Sequence, residues 1–97
     1  MERDIQSSVL KYLNSVPGCI AENVRGNASQ SGRADINACY KGRCIKIELK
    51  DPKDKNYGVT EQQRLYLLKW QKAGAHVRVC YSLDEVKEFM EDLHEIP

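Results

Sequence analysis

The sequence predicts one small domain, an α/β or α+β sheet covered by helices, and three observations carry that expectation. Its 97 residues leave room for one core and no second. Apolar spacing switches between the three-and-four rhythm of helices and the alternation of strands, in the order α-β-β-β-α-β-α. Turn and capping residues punctuate each switch. An apolar share of 41% with 30% charged residues excludes a disordered tail. Fifteen basic residues against fourteen acidic ones leave a net charge of +1, which is not that of a protein that coats nucleic acid. No run is apolar and long enough for a membrane span or a signal peptide, so the expected location is intracellular.

The first helix is expected over residues 2–16, where Ile5, Val9, Tyr12, Leu13 and Val16 share a face and Pro17-Gly18 ends the run. Residues 19–25 form a weakly alternating strand, and 26–32 are a loop by composition. Residues 34–40 and 43–50 read as two strands joined by Lys41-Gly42, a two-residue hairpin turn. The second of these buries either Cys44 or the pair Ile45 and Ile47, according to which face meets the core. Residues 51–59 are polar, carry Pro52 and Gly58, and read as a mobile loop. Thr60 opens a helix with Gln63 in capping-box spacing, and Leu65, Leu68 and either Tyr66 or Trp70 are expected to pack inward until Gly74 stops it. Residues 75–81 form a strand with Val77 and Val79 on one side. Ser82 and Glu85 make a second capping box, opening a helix with Val86, Phe89, Met90 and Leu93 on one stripe.

Chemistry concentrates in residues 32–50. Asp35 lies near the start of one strand, and Glu48 and Lys50 lie near the end of the next. Alternation puts Glu48 and Lys50 on the same sheet face. Two carboxylates and an ammonium on one face of an Ile- and Leu-rich strand are costly unless a cation sits between the acids. Hard divalent ions prefer carboxylate and water oxygens, so the cluster points to metal-assisted chemistry on phosphate esters. A bland alternative is a Glu48–Lys50 pair on an exposed face of a metal-free interaction protein.

Gly32-Arg33-Ala34-Asp35, then Glu48-Leu49-Lys50, then Thr60-Glu61-Gln62, resembles the VRR-NUC domain of the PD-(D/E)xK nuclease superfamily. Glu2-Arg3-Asp4-Ile5-Gln6 and Gly74-Ala75-His76-Val77 are similar to that family's first helix and last strand, so the likeness runs from Glu2 to about Tyr81. Ala34 departs from the superfamily's proline at a position that shapes backbone and carries no ligand. The resemblance implies a restriction-endonuclease-like α/β core with a mixed sheet flanked by helices. It implies that Asp35 and Glu48, with the Leu49 backbone carbonyl, bind a catalytic Mg²⁺ or Mn²⁺, with Glu2 (or Asp4 in a shifted register) as a candidate further acid. Lys50 would hold the attacking water or stabilise charge on phosphorus, and Gln62 would orient the water shell or Lys50.

The activity so implied is metal-dependent endonucleolytic hydrolysis of DNA. Stand-alone members of the family are similar to dimeric Holliday-junction resolvases, so a homodimer acting on branched DNA, four-way junctions or flaps, is expected. The stand-alone form also resembles phage-encoded proteins, which would place it in the cytoplasm of a host cell. The alternative from the binding class is a catalytically silent nuclease fold that recognises DNA structure or a partner protein. Arg25, Arg33, Lys46, Lys53 and Lys55 flank the site in sequence and are the expected phosphate contacts. The cysteines (Cys19, Cys39, Cys44, Cys80) lack paired zinc-ligand spacing and read as small buried residues with reduced thiols. A Cys39–Cys44 bridge across the hairpin is geometrically open but disfavoured in a reducing compartment. Neither His76 nor His94 is placed as a ligand, and Trp70 reads as core or dimer contact.

Overall fold

The computed structural model describes residues 2–24, 35–50 and 60–96, with side chains described from Ile5 onward. The elements follow the expected order: α1 (Glu2–Ser15), β1 (Cys19–Asn23), β2 (Ile36–Tyr40), β3 (Arg43–Leu49), α2 (Glu61–Lys72), β4 (His76–Cys80) and α3 (Leu83–His94). The strands form one mixed sheet in the order β1-β2-β3-β4. The first three pair antiparallel, and β4 lies parallel to β3 after the crossover through α2.

Local chemistry explains the boundaries. Lys41 at φ 50° and Gly42 at φ 86° make the left-handed pair that a two-residue hairpin turn needs to match strand twist. Thr60 caps α2 through a reciprocal box: its hydroxyl accepts from the Gln63 N–H, and the Gln63 side chain accepts from the Thr60 N–H, both at 3.1 Å. At α3 the Ser82 hydroxyl accepts from the Glu85 N–H at 3.2 Å. The Glu85 carboxylate reaches one residue further back than a capping box predicts, taking the Tyr81 N–H at 2.8 Å.

The sheet has two unlike faces. Ile36, Ala38 and Tyr40 of β2, Ile45, Ile47 and Leu49 of β3, and Cys80 of β4 meet Val9 and Leu13 of α1 and Val86, Phe89, Met90 and Leu93 of α3. Each such large side chain, fully buried, contributes about 1.5–3 kcal/mol by leaving water. Ile45 and Ile47 therefore face the core and Cys44 is turned outward and exposed. Two fastenings close this layer's C-terminal end: the Tyr40 hydroxyl lies 3.0 Å from His94 Nδ1, and the Arg43 guanidinium donates to the Leu93 and Ile96 carbonyls.

Among the described residues, α2 alone covers the opposite face over β3 and β4. Leu67 is the buried residue of that helix and Leu68 is half-buried, while Leu65 is half exposed, so the expectation that Leu65 packs inward is corrected. The reason is helical phase. Gln63 is tied to β3, which sets residues 63, 67 and 70 toward the sheet at intervals of four and three. Among the described residues no element covers the β1 and β2 half of this face: Ile20 is 71% exposed and Cys39 is exposed beside it.

Candidate functional site

The polar groups of the α2 face follow from strand register. Ile36 pairs with Ile47, so one step further along the ladder Asp35 stands opposite Glu48. Alternation then sets Asp35, Asn37 and Cys39 of one strand beside Glu48, Lys46 and Cys44 of the next, all on the α2 side. The Asp35 carboxylate ends the ladder. Its Oδ2 accepts from the Leu49 N–H at 2.8 Å, replacing the carbonyl that a longer β2 would supply.

Glu48 is 2% exposed, and its surroundings explain how a buried carboxylate is tolerated. Gln63 Nε2 donates to Glu48 Oε2 at 2.6 Å, and Lys50 Nζ lies 3.5 Å from the same oxygen. Lys50 keeps some access to solvent, with 18% of its side chain exposed. Glu48 and Lys50 thus meet at the C-terminal end of β3, and Asp35 is tied to the same strand end through the Leu49 N–H. Burial on both faces of β3 makes its charged side a low-dielectric setting, in which each of these contacts is stronger than in water.

The glutamine that donates to Glu48 is Gln63. Gln62 lies on the exposed side of α2, whereas Gln63 spans from the helix cap to Glu48. The signal was present in the sequence, since Gln63 is the residue in capping-box spacing from Thr60. Arg64, also near the helix start, is held by Glu61 at 2.8 Å on the surface, and that guanidinium lowers the Glu61 carboxyl below its usual range.

Lys46 is also corrected as a phosphate contact. It is 5% exposed, its ammonium donates to Asn37 Oδ1 at 2.6 Å, and it sits 3.8 Å from the centroid of the Trp70 ring. A cation between an amide oxygen and an indole face is compensated for its burial and withdrawn from solvent. Trp70 thus has a role the sequence does not reveal: it roofs a buried lysine, with Tyr66 at a ring distance of 6.1 Å. Arg25, Arg33, Lys53 and Lys55 lie outside the described residues, as does the Glu2 side chain, although Glu2 is the first residue of α1.

A hollow of about 540 Å³ is lined by Tyr12, Tyr40, Met90 and His94 among others, on the α1 and α3 side. It holds none of the Asp35, Glu48 and Lys50 set. On the site's own face, a shallower groove of about 440 Å³ runs over Ile20, Glu22, Asn37 and Cys39.

The Asp35 and Glu48 carboxylates are hard oxygen donors, a type that suits Mg²⁺ or Mn²⁺ and not a soft metal. Among the described residues no three His, Cys, Asp or Glu side chains gather as a ready-made cage. No helix among the described residues is long and apolar enough to cross a membrane. Comparison of the chain with protein-family models, curated proteins and solved structures finds no match.

Proposed function

We propose that this protein is a metal-dependent DNA endonuclease with a restriction-endonuclease-like core, hydrolysing phosphodiesters in branched DNA as a homodimer. The observation that carries the reading is the buried Glu48 carboxylate, gripped by Gln63 and Lys50 on the strand whose Leu49 N–H holds the Asp35 carboxylate. The resemblance to VRR-NUC nucleases in the order of Asp35, Glu48-Leu49-Lys50 and the Thr60 helix supports the same conclusion.

Asp35 and Glu48, with the Leu49 carbonyl, would hold Mg²⁺ or Mn²⁺, with Glu2 as a candidate donor from α1. Such an ion supplies polarisation of the scissile phosphate and a lowered pKa for a bound water. The residues around it have separate tasks. Gln63 fixes the rotamer of Glu48 from the helix cap. Lys50, with its ammonium partly open to solvent, orients the water or balances charge that develops on phosphorus. Arg25, Arg33, Lys53 and Lys55 flank this set in sequence and would contact phosphates.

Four-way, flapped and linear DNA incubated with the purified chain under Mg²⁺ or Mn²⁺ tests the reading. Cleavage of the branched substrates is expected, with loss on EDTA treatment and light scattering at the mass of a dimer. Asp35→Ala, Glu48→Gln and Lys50→Ala should each lower the rate by about 100-fold or more. Cleavage by these variants at the wild-type rate would remove the site assignment. The Lys50–Glu48 ion pair favours one rival, a silent fold whose charges are satisfied internally and which only binds DNA structure or a protein. Junction binding without cleavage under either metal would select it.

A further inference from the structure

The cysteines do not behave as a uniform set of buried thiols, contrary to the expectation from sequence. Cys80 is fully buried, and that burial pushes its thiol up to about 12. Cys19 is half-buried on the core side, and desolvation raises its thiol as well. Cys39 and Cys44 are both exposed, and they are direct register partners on β2 and β3.

Their position in the hairpin sets their geometry. Tyr40 and Arg43 flank the two-residue turn and form the first pair of the ladder. In such a hairpin that first pair is the hydrogen-bonded one, so Cys39 and Cys44 make the next, non-hydrogen-bonded pair. Cα atoms in a pair of that kind lie about 4.5 Å apart with side chains on one face, inside the range of about 4.4–6.8 Å that a disulfide spans. Among the described residues no helix covers them: they lie on the β1 and β2 half of the α2 face, where Cys39 lines the shallow groove beside the exposed Ile20.

We propose that Cys39 and Cys44 form a thiol–disulfide exchange site that takes low-molecular-weight disulfides such as oxidised glutathione and closes reversibly into a cross-strand disulfide. One thiolate, from Cys39 or Cys44, attacks a sulfur of the small disulfide. The S–S bond of the small molecule breaks, one thiol leaves with a proton, and a mixed disulfide remains on the protein. The second cysteine's thiolate then attacks the protein sulfur of that mixed disulfide and expels the other small thiol. Overall the two cysteines lose two protons and two electrons, and the small disulfide becomes two thiols. An exposed bridge of this kind is readily reduced again, which fits a transient state and not a permanent staple. The site is independent of the nuclease reading.

The test uses the full chain, equilibrated with oxidised glutathione, then acid-quenched, denatured, alkylated and analysed by peptide mass spectrometry. Wild-type protein is expected to lose two alkylatable thiols, those of Cys39 and Cys44, and to recover both with excess reduced glutathione. Cys44→Ser should accumulate a glutathione adduct on Cys39 that the wild type does not retain, because the resolving thiol is gone. Cys19→Ser should still close the bridge. Both hairpin positions are exposed, so circular dichroism of the Cys44→Ser variant should match the wild type. Four alkylatable thiols in the treated wild type, a stable adduct on it, or a bridge between two chains would each overturn the proposal.

Discussion

Gln63 shows how much one side chain can connect. Its amide oxygen accepts from the Thr60 N–H and its amide nitrogen donates to Glu48, so both ends of the group are committed and its orientation is fixed. Two substitutions separate these tasks. Gln63→Glu retains a capping acceptor but sets a second carboxylate against a buried one, which destabilises the fold as pH rises through the carboxylate range. Gln63→Ala removes both contacts and is expected to cost about 1–3 kcal/mol without that pH dependence. Urea unfolding of each variant between pH 4 and pH 8, values spanning roughly the carboxylate range, checks the pair. The acids and Lys50 were legible because strand alternation alone aligns Glu48 with Lys50. Between Gln62 and Gln63 the sequence offered family likeness for one and capping geometry for the other. Only the phase of α2 on the sheet decides, and that depends on contacts distant in sequence.

Among the elements, α2 is where reading from sequence fails most and for an instructive reason. Helix periodicity assumes an apolar partner, and α2 packs on a sheet face that carries Glu48 and Lys46. Its inward stripe is therefore Gln63, Leu67 and Trp70, a polar, an aliphatic and an aromatic residue matched to what lies beneath. By contrast α3 meets an apolar face, and its expected stripe of Val86, Phe89, Met90 and Leu93 is the buried one. Because α2 buries so little, its cap matters more to it than to a core helix. Thr60→Ala is expected to cost about 1 kcal/mol. The loss should show first as faster amide exchange in the first turn of α2, with α3 unaffected.

On the scale of the whole molecule, stability resides on the α1 and α3 face and the polar chemistry on the other. Phe89→Ala, which opens the core, should cost about 3–5 kcal/mol and lower the melting temperature of a domain this size by about 12 °C or more. Alkaline pH tests the same layer through Cys80. Its folded thiol titrates at about 12 and its ordinary value is 9.0, so the unfolded chain loses the proton first. This contribution is intact below pH 9.0 and declines as pH rises toward 12. At pH 10 it removes about 1 kcal/mol. Cys80→Ala should flatten the fall of stability between pH 8 and pH 10, roughly the onset of that titration, relative to the wild type. All seven elements were legible, since each is bounded by local turn and cap chemistry. The parallel placement of β4 beside β3 was not, because no short stretch of sequence encodes which strand a crossover returns to.

The two-ended grip of Gln63 has a thermodynamic corollary. Since one amide joins the start of α2 to Glu48, any event that changes the charge or the occupants of Glu48 must change the free energy of the first helical turn by a reciprocal amount. The amides of Gln63 and Arg64 are therefore a built-in gauge. Their exchange rates should move when Glu48 is protonated or acquires a cation, even where no chemistry follows.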